Sequence, residues 1–254
     1  MKLSGNTILI TGGSNGIGLA LAKKFVELGN EVIITGRRQD KLDAAKKQEP
    51  KLQTFRGDAA DPKAVAELAT EMRTKYHKLS VLINNAGIMV YRNMAKPETD
   101  LAALTSEIET NLCGPVRMVS AMIEQLRANK GTIINVSSGL AYVPLTAAPV
   151  YCATKAAMHS FSITLRQQLR DRCVEVIELA PPAVKTDLVH FPDDPNFKVI
   201  STEELVTAVI KGLKKGSIEI APGQSGQLRL MSRVAPGFIQ GQLEKGSKKL
   251  IPPA

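Results

Sequence analysis

The chain has 254 residues, a net charge of +9, 44% hydrophobic residues and 22% charged residues. These values are typical of one large globular α/β domain, and no apolar run reaches the roughly 18 residues that a bilayer crossing needs. An apolar run begins almost at once and leaves no room for a secretory signal, so the sequence predicts a cytoplasmic protein. Three widely spaced cysteines match neither a disulfide framework nor a zinc pattern.

Short apolar runs alternate with helical patterns along the chain. The predicted strands cover residues 7–11, 31–35, 53–56, 81–84, 132–137, 174–179 and 217–220, and the helical patterns begin at Ile17 and continue near 62–78, 99–129, 149–172 and 201–215. Strands that are apolar on both faces and alternate with helices are typical of a parallel sheet covered on both sides. The sequence therefore predicts one doubly wound α/β domain over residues 1–254, with a seven-stranded parallel sheet.

A glycine-rich turn, Thr11-Gly12-Gly13-Ser14-Asn15-Gly16-Ile17-Gly18, follows the first predicted strand. Glycines permit a tight turn here and let a pyrophosphate approach the backbone amides at the positive end of a helix. Their GxxxGxG spacing departs from the GxGxxG dinucleotide fingerprint, and such a turn can also serve packing alone. The predicted dinucleotide site comprises Gly12, Ser14, Asn15, Gly16, Ile17 and Gly18.

Gly36, Arg37 and Arg38 directly follow the second predicted strand. A carboxylate at this place holds the ribose hydroxyls of NAD, whereas a guanidinium pairs with the 2′-phosphate of NADP. The sequence therefore favours NADP as the cofactor. NAD stays open, because two such arginines can also be an ordinary solvated pair.

Ser138, Tyr151 and Lys155 indicate carbonyl and alcohol redox chemistry. Tyr151 and Lys155 are four residues apart in a stretch that begins with Pro149 and is typical of a helix start, so their side chains share one face. A phenol titrates near about 10, and the Lys155 ammonium is expected to stabilise its ionised form. Tyr151 can then exchange a proton with a substrate oxygen to which Ser138 also donates. Taken singly, each residue is more often a surface neighbour or a cap.

With these motifs, the sequence resembles the short-chain dehydrogenase/reductase family over nearly its whole length. The resemblance implies a Rossmann fold, an NAD(P)-dependent oxidoreductase and a homodimer or homotetramer. It also implies that Asn111 is catalytic, supporting a water chain, and that Lys155 binds the nicotinamide ribose. The cofactor contacts it implies are Asp58, Asn85, Ala86, Gly87, Tyr151, Lys155, Val184 and Thr186.

One departure from the family pattern is Pro182, which stands where a glycine is common and puts the local backbone path in question. The pair of prolines at 181–182, together with Pro236-Gly237-Phe238, is similar to the DltE-type oxidoreductases of bacteria.

A long irregular stretch at 187–200 holds two prolines and three aspartates, and a loop of this length predicts a substrate lid. The loops expected around the site are mostly apolar and favour a small hydrophobic substrate. The residues concerned are Ile88, Met89, Leu140, Tyr142, Val143, Leu145 and Phe191.

The C-terminal segment, 222–254, is basic. From Lys211 onward the chain has eight basic residues and two acidic ones, without stacking aromatics or a nucleic-acid-binding motif. A solvated basic face is therefore preferred to a nucleic-acid partner, and the apolar residues of the segment favour a subunit interface or a core over a membrane surface. The histidines His77, His159 and His190 are scattered, so the sequence predicts no metal site.

Two other functions explain part of the pattern. A binding protein that senses the cofactor without turnover uses the same fold, although Tyr151 and Lys155 argue against it. A methyltransferase shares the glycine turn after its first strand but leaves Ser138, Tyr151 and Lys155 unexplained.

Overall fold

The computed structural model describes residues 1–98, 100–188 and 198–252. Within them, seven parallel strands form one sheet in the order β3-β2-β1-β4-β5-β6-β7. The strands are β1 (Thr7–Ile10), β2 (Glu31–Gly36), β3 (Gln53–Arg56), β4 (Leu79–Asn84), β5 (Thr132–Val136), β6 (Glu175–Leu179) and β7 (Glu219–Ile220). The α-helices are α1 (Gly16–Glu27), α2 (Gln39–Gln48), α3 (Pro62–Lys75), α4 (Leu101–Ile108), α5 (Gly114–Ala128), α6 (Pro149–Leu169), α7 (Thr202–Lys214), α8 (Gln224–Val234) and α9 (Pro236–Ser247).

Both faces of the sheet are covered, as the apolar strands require. Side chains alternate along a strand, so Ile8 and Ile10 of β1 pack in a core with α1 and α7. Leu9 points the other way, into a core with α3, α5 and α6. This confirms the predicted doubly wound, single-domain α/β fold. Because β1 pairs with both β2 and β4, the strand order reverses beside β1, where ligands bind in such sheets.

The helical part of the chain differs from the sequence-based expectation in three places. The C-terminal segment, for which the sequence predicts no helix, forms α8 and α9. The predicted helix at 99–129 is interrupted by a π-helical turn, Glu109–Cys113, between α4 and α5. Helix α2 was not predicted, because only Leu42 and Ala45 of its ten residues are buried and its apolar stripe is therefore very narrow. The predicted lid at 187–200, including His190 and Phe191, falls largely outside the described residues.

The end of the described chain packs against the middle of the sequence. Leu243 of α9 and Leu250 adjoin a buried apolar cluster that contains Met89, Leu145 and Tyr151. Hydrogen bonds reinforce the contact: the Gln240 side chain donates to the Pro144 carbonyl at 3.1 Å, and that of Asn93 to the Pro252 carbonyl at 3.1 Å. Among the described helices, none combines the length and hydropathy that a bilayer crossing requires.

Candidate active site

The glycine turn between β1 and α1 packs directly on the loop that follows β4. Gly12 has a φ of +64°, and a Cβ on it would lie 2.8 Å from the Ala86 Cα, so a side chain does not fit. Thr11 Oγ1 accepts hydrogen bonds from the backbone N–H of Asn85 and Ala86, both at 3.1 Å. The Asn85 side chain donates back to the carbonyls of Thr11 and Gly12. The two predicted cofactor motifs therefore form one rigid unit.

Helix α1 begins at this unit. The Asn15 side chain caps the helix by accepting from the Gly16 N–H at 2.7 Å, and it donates to Asp187 Oδ2 at 2.7 Å. Gly16 has a φ of +54° and faces the Thr186 side chain. No acidic residue lies in the first turn of α1 to oppose an anion at its positive end. The other predicted residues of this turn are Ser14, Ile17 and Gly18.

The predicted phosphate-binding arginines lie where β2 ends. The Arg37 guanidinium is largely exposed, 4.0 Å from a carboxylate oxygen of Asp58. Arg38 precedes α2 at its capping position. A Cβ on Gly36 would lie 3.0 Å from Ser14 Oγ, so the end of β2 and the glycine turn are in contact. The arginines, Asp58 and Ser14 therefore surround one corner of the candidate cofactor site.

Tyr151 and Lys155 are buried on α6, at 6% and 4% exposure. The Lys155 ammonium lies 5.6 Å from the Tyr151 ring centroid and donates to the Val136 carbonyl at 2.8 Å. Ser138 lies close enough to Tyr151 to influence the pKa of its phenol. Ser138 Oγ also accepts from the Leu140 N–H at 3.1 Å. The structure thus brings the predicted serine, tyrosine and lysine together.

Burial dominates the protonation of both groups. It raises the pKa of Tyr151 well above its ordinary value, although the nearby Ser138 hydroxyl acts in the opposite direction. Burial disfavours the charged form of Lys155 as well, and therefore lowers its pKa to about 8. The pKa of Tyr151 is therefore raised overall and not lowered as the sequence predicts, because burial is the largest influence on it. At neutral pH Tyr151 is a neutral phenol that can donate a proton.

Asn111 lies in the π-helical turn and holds the chain after β4. Its Oδ1 accepts from the Ile88 N–H at 2.8 Å, and its Nδ2 donates to the Ile88 carbonyl at 2.8 Å and to Thr154 Oγ1 at 3.1 Å. A Cβ on Gly87 would lie 3.3 Å from Asn111 Oδ1 and 3.6 Å from the Lys155 ammonium. Asn111 and the Lys155 ammonium therefore both lie close to Gly87.

The chain after β6 returns to the same edge of the sheet despite the departure at Pro182. Val184 pairs with Ile200 in an isolated parallel bridge. Thr186 then lies against Gly16, at the beginning of α1. The proline thus leaves the predicted cofactor contacts Val184 and Thr186 close to the glycine turn.

Sequence reasoning missed a buried ion pair beside the site. Arg92 Nε lies 3.4 Å from Glu107 Oε2, and Glu107 Oε1 accepts from the Val90 N–H at 3.1 Å. Burial raises the pKa of Glu107. The pair fixes the loop after β4. Met89 of this loop lies beside Tyr151. Only the unusual position of a glutamate among apolar residues of α4 could have signalled it.

The family model described as short chain dehydrogenase matches residues 6–195. The chain belongs to the short-chain dehydrogenase family. It is 47% identical to the uncharacterized oxidoreductase DltE of Bacillus subtilis (strain 168) over 87% of this chain and 89% of that protein. It is 32% identical to the NADP-dependent 3-hydroxy acid dehydrogenase YdfG of Salmonella typhi over 80% and 83%. A short chain dehydrogenase from Burkholderia cenocepacia, solved in complex with NADP, superposes with a TM-score of 0.83 at 27% identity, covering 96% of this chain and 99% of that one.

Proposed function

We propose that this member of the family transfers a hydride between NADP(H) and the alcohol or carbonyl group of a small, hydrophobic substrate, with Tyr151 as general acid and base. One observation carries the proposal. The buried side chains of Ser138, Tyr151 and Lys155 lie together, with the Lys155 ammonium 5.6 Å from the centre of the Tyr151 ring. These groups lie at the edge of the sheet that also holds the glycine turn.

The residues at this edge fit a dinucleotide. Gly12 keeps the backbone free of a side chain where it meets Ala86, and the first turn of α1 offers backbone amides and contains no acidic residue of its own. Arg37 and Arg38 fit a 2′-phosphate, in agreement with the NADP named for the Burkholderia cenocepacia structure. When bound, NADP(H) supplies or accepts the hydride. We assign its binding to the glycine turn, both arginines, Asp58, the loop at 85–87, Tyr151, Lys155, Val184 and Thr186.

Tyr151 and Ser138 act on the substrate oxygen. During reduction, the neutral Tyr151 phenol gives its proton to that oxygen, and during oxidation it takes the proton back. Ser138 donates a hydrogen bond to the same oxygen and stabilises the negative charge that develops there. Because the pKa of Tyr151 is raised, the phenol stays protonated at neutral pH and can donate its proton to the substrate.

Lys155 and Asn111 support this proton transfer. An ammonium has three donors, and one of those of Lys155 is used on the Val136 carbonyl. We assign another to the nicotinamide ribose. Its positive charge also favours the Tyr151 phenolate that is left after proton transfer. Asn111 fixes Ile88 beside Lys155 and is proposed to support the water chain that returns the proton from bulk solvent.

The surroundings of Tyr151 are the reason for proposing a hydrophobic substrate. Met89, Leu145 and Cys152 are buried beside it, with Leu243 and Leu250 at the margin. An apolar wall of this kind gains free energy by removing apolar substrate surface from water. The name of the Salmonella typhi relative refers to a hydroxy acid, so small hydroxy acids are the natural competing class.

A panel of ketones, aldehydes, alcohols and small hydroxy acids tests the proposal. We expect NADPH to be consumed with at least one carbonyl compound, and NADP to be reduced with the matching alcohol, as followed by absorbance. Tight binding of NADPH without turnover of any compound would instead support the cofactor-sensing alternative. Binding of S-adenosylmethionine without affinity for NADPH would support the methyltransferase alternative.

Cofactor preference should depend on Arg37. A charge-assisted hydrogen bond to phosphate contributes about 1.5–3 kcal/mol, so we expect Arg37→Ala to raise the Kd for NADPH by about ten-fold to a hundred-fold. The Kd for NADH should hardly change, because NADH has no 2′-phosphate. Titrations of both cofactors with wild type, Arg37→Ala and Arg38→Ala measure this. Comparison with the matched variant Arg38→Ala shows which of the two guanidinium groups binds the 2′-phosphate. Equal wild-type affinities for the two cofactors would contradict the assignment and favour NAD.

The expected homodimer or homotetramer stays a prediction. Leu230 and Val234 of α8 and Phe238 of α9 are exposed in the single chain. We propose that they contribute to a subunit contact, where burial of apolar surface is favourable. A cytoplasmic location likewise stays a prediction.

A further inference from the structure

Two glutamates lie side by side where β6 and β7 pair. Glu178 is in register with Glu219, so both side chains project from the same face of the sheet. Glu178 is completely buried. Adjacent carboxylates repel each other, and burial of a carboxylate is unfavourable unless hydrogen bonds or opposite charges compensate. This arrangement therefore depends on the partners of the two glutamates.

Each glutamate has its own partner. Glu178 Oε1 accepts a hydrogen bond from the Ser137 hydroxyl, and Glu178 Oε2 lies 2.7 Å from His159 Nδ1. Glu219 forms an ion pair with Arg229 of α8. The ligand atoms of His159, Glu178 and Glu219 lie within 4.8 Å of one another, which is close enough to hold a metal ion. However, the permanent charge of Arg229 opposes a cation there, and a closed hydrogen-bonded network explains the cluster better.

The network is connected to the catalytic residues through α6. Tyr151, Lys155 and His159 follow at intervals of four residues and therefore share one face of the helix. Lys155 binds the Val136 carbonyl, and His159 binds Glu178, which holds the Ser137 side chain. Two contacts from one helix thus reach the two residues that immediately precede Ser138.

Ser138 is held on its other side as well. The Gly139 N–H donates to the Pro181 carbonyl at 2.9 Å. A Cβ on Gly139 would lie 2.6 Å from Ser225 Oγ at the start of α8. Arg229, on the same helix, pairs with Glu219. Ser138 therefore lies in a short segment whose position relative to α6 depends on the network.

We propose that Glu178 and His159 are positioning residues that act through Ser137 to hold Ser138 at the correct distance from Tyr151. This inference rests on the proposed function, in which Ser138 donates to the substrate oxygen. A displacement of about 1 Å in a reacting group can lower the rate about a hundred-fold. A buried side-chain network provides such rigidity, because its members have no solvent to replace a lost partner.

Two variants test the inference on a substrate identified with the panel. Ser137→Ala removes the hydroxyl that Glu178 accepts from, and His159→Leu removes the imidazole at a partly exposed position. We expect each to lower kcat by about ten-fold to a hundred-fold, with the KM for NADPH unchanged. In a Ser138→Ala background, the same changes should alter kcat by less than about two-fold, because the residue through which they act is gone. Glu178→Gln, which can still accept from Ser137, should retain most of the activity.

Ser162→Ala is the matched control. Like Ser137, Ser162 is a buried serine, but it lies on α6, and its hydroxyl binds the Asn135 side chain and the Met158 carbonyl, outside the network. It should lower the free energy of unfolding and leave kcat unchanged. If Ser137→Ala and His159→Leu leave kcat unchanged, or lower it equally with and without Ser138, the positioning role is overturned. If Ser138→Ala itself leaves kcat unchanged, it is the proposed role of Ser138 that fails.

Discussion

Tyr151→Phe is expected to lower kcat by about a hundred-fold to ten-thousand-fold, the contribution that a positioned general acid or base makes. The change removes one hydroxyl and leaves the ring in its apolar surroundings, so the Kd for NADPH should stay near that of the wild type. Steady-state kinetics on a substrate from the panel and cofactor titration by fluorescence measure the two effects separately.

Tyr76→Phe is the control for this experiment. Tyr76 caps the C-terminal end of α3 and is not part of the cluster around Tyr151, so its replacement should leave kcat within about two-fold of the wild type. Wild-type turnover by Tyr151→Phe would exclude Tyr151 as the proton donor. A parallel loss of NADPH binding would mean that the variant reports on the cofactor site and not on proton transfer.

Lys155→Met is expected to make the protein without cofactor more stable at pH 7 while it lowers both turnover and NADPH affinity. Burial lowers the pKa of Lys155 from 10.5 to about 8. This shift corresponds to about 3 kcal/mol by which the buried charge disfavours the folded state below pH 8. Loss of the hydrogen bond to Val136 offsets about 1 kcal/mol, so a net gain of about 2 kcal/mol is expected.

The stabilising effect of Lys155→Met depends on pH. Between pH 8 and 10.5 the folded protein has released the Lys155 proton while the unfolded chain still binds it. The wild-type free energy of unfolding therefore rises with pH over this range, and the advantage of Lys155→Met shrinks. Urea unfolding of both proteins at pH 7 and pH 10 measures the difference. Lys47→Met, at an exposed position on α2, should show no such change. If the difference in the free energy of unfolding between Lys155→Met and the wild type is the same at both pH values, Lys155 is not desolvated in the folded protein.

The features that could be predicted from the sequence are those that depend on residues close to one another in the chain. Ile8, Leu9 and Ile10 alternate between two cores because a strand alternates its side chains, and this pattern is visible without a structure. Tyr151 and Lys155 share a helix face for an equally local reason. The family resemblance then placed Asn111 and Ser138 with them, and the structure brings all four together.

Pairings between distant parts of the chain could not be predicted in this way. In the sequence His159 has no visible partner, because Glu178 lies on β6, and only the folded chain brings β6 beside α6. The sequence did show that His159 follows Lys155 by four residues and therefore shares its helix face. The raised pKa of Tyr151 was missed for a similar reason. A spacing of residues shows which charges are neighbours, but it does not show how much water the completed fold removes.

The contact of Leu243 and Leu250 with the cluster around Tyr151 also has a consequence for synthesis on the ribosome. A nascent chain exposes Ser138, Tyr151 and Lys155 well before α9 leaves the exit tunnel. Until then, the apolar cluster beside Tyr151 lacks its contacts with Leu243 and Leu250. Leu243 and Leu250 are therefore made after all the proposed catalytic residues, so a chain that stalls before α9 lacks the two leucines that pack on the cluster around Tyr151.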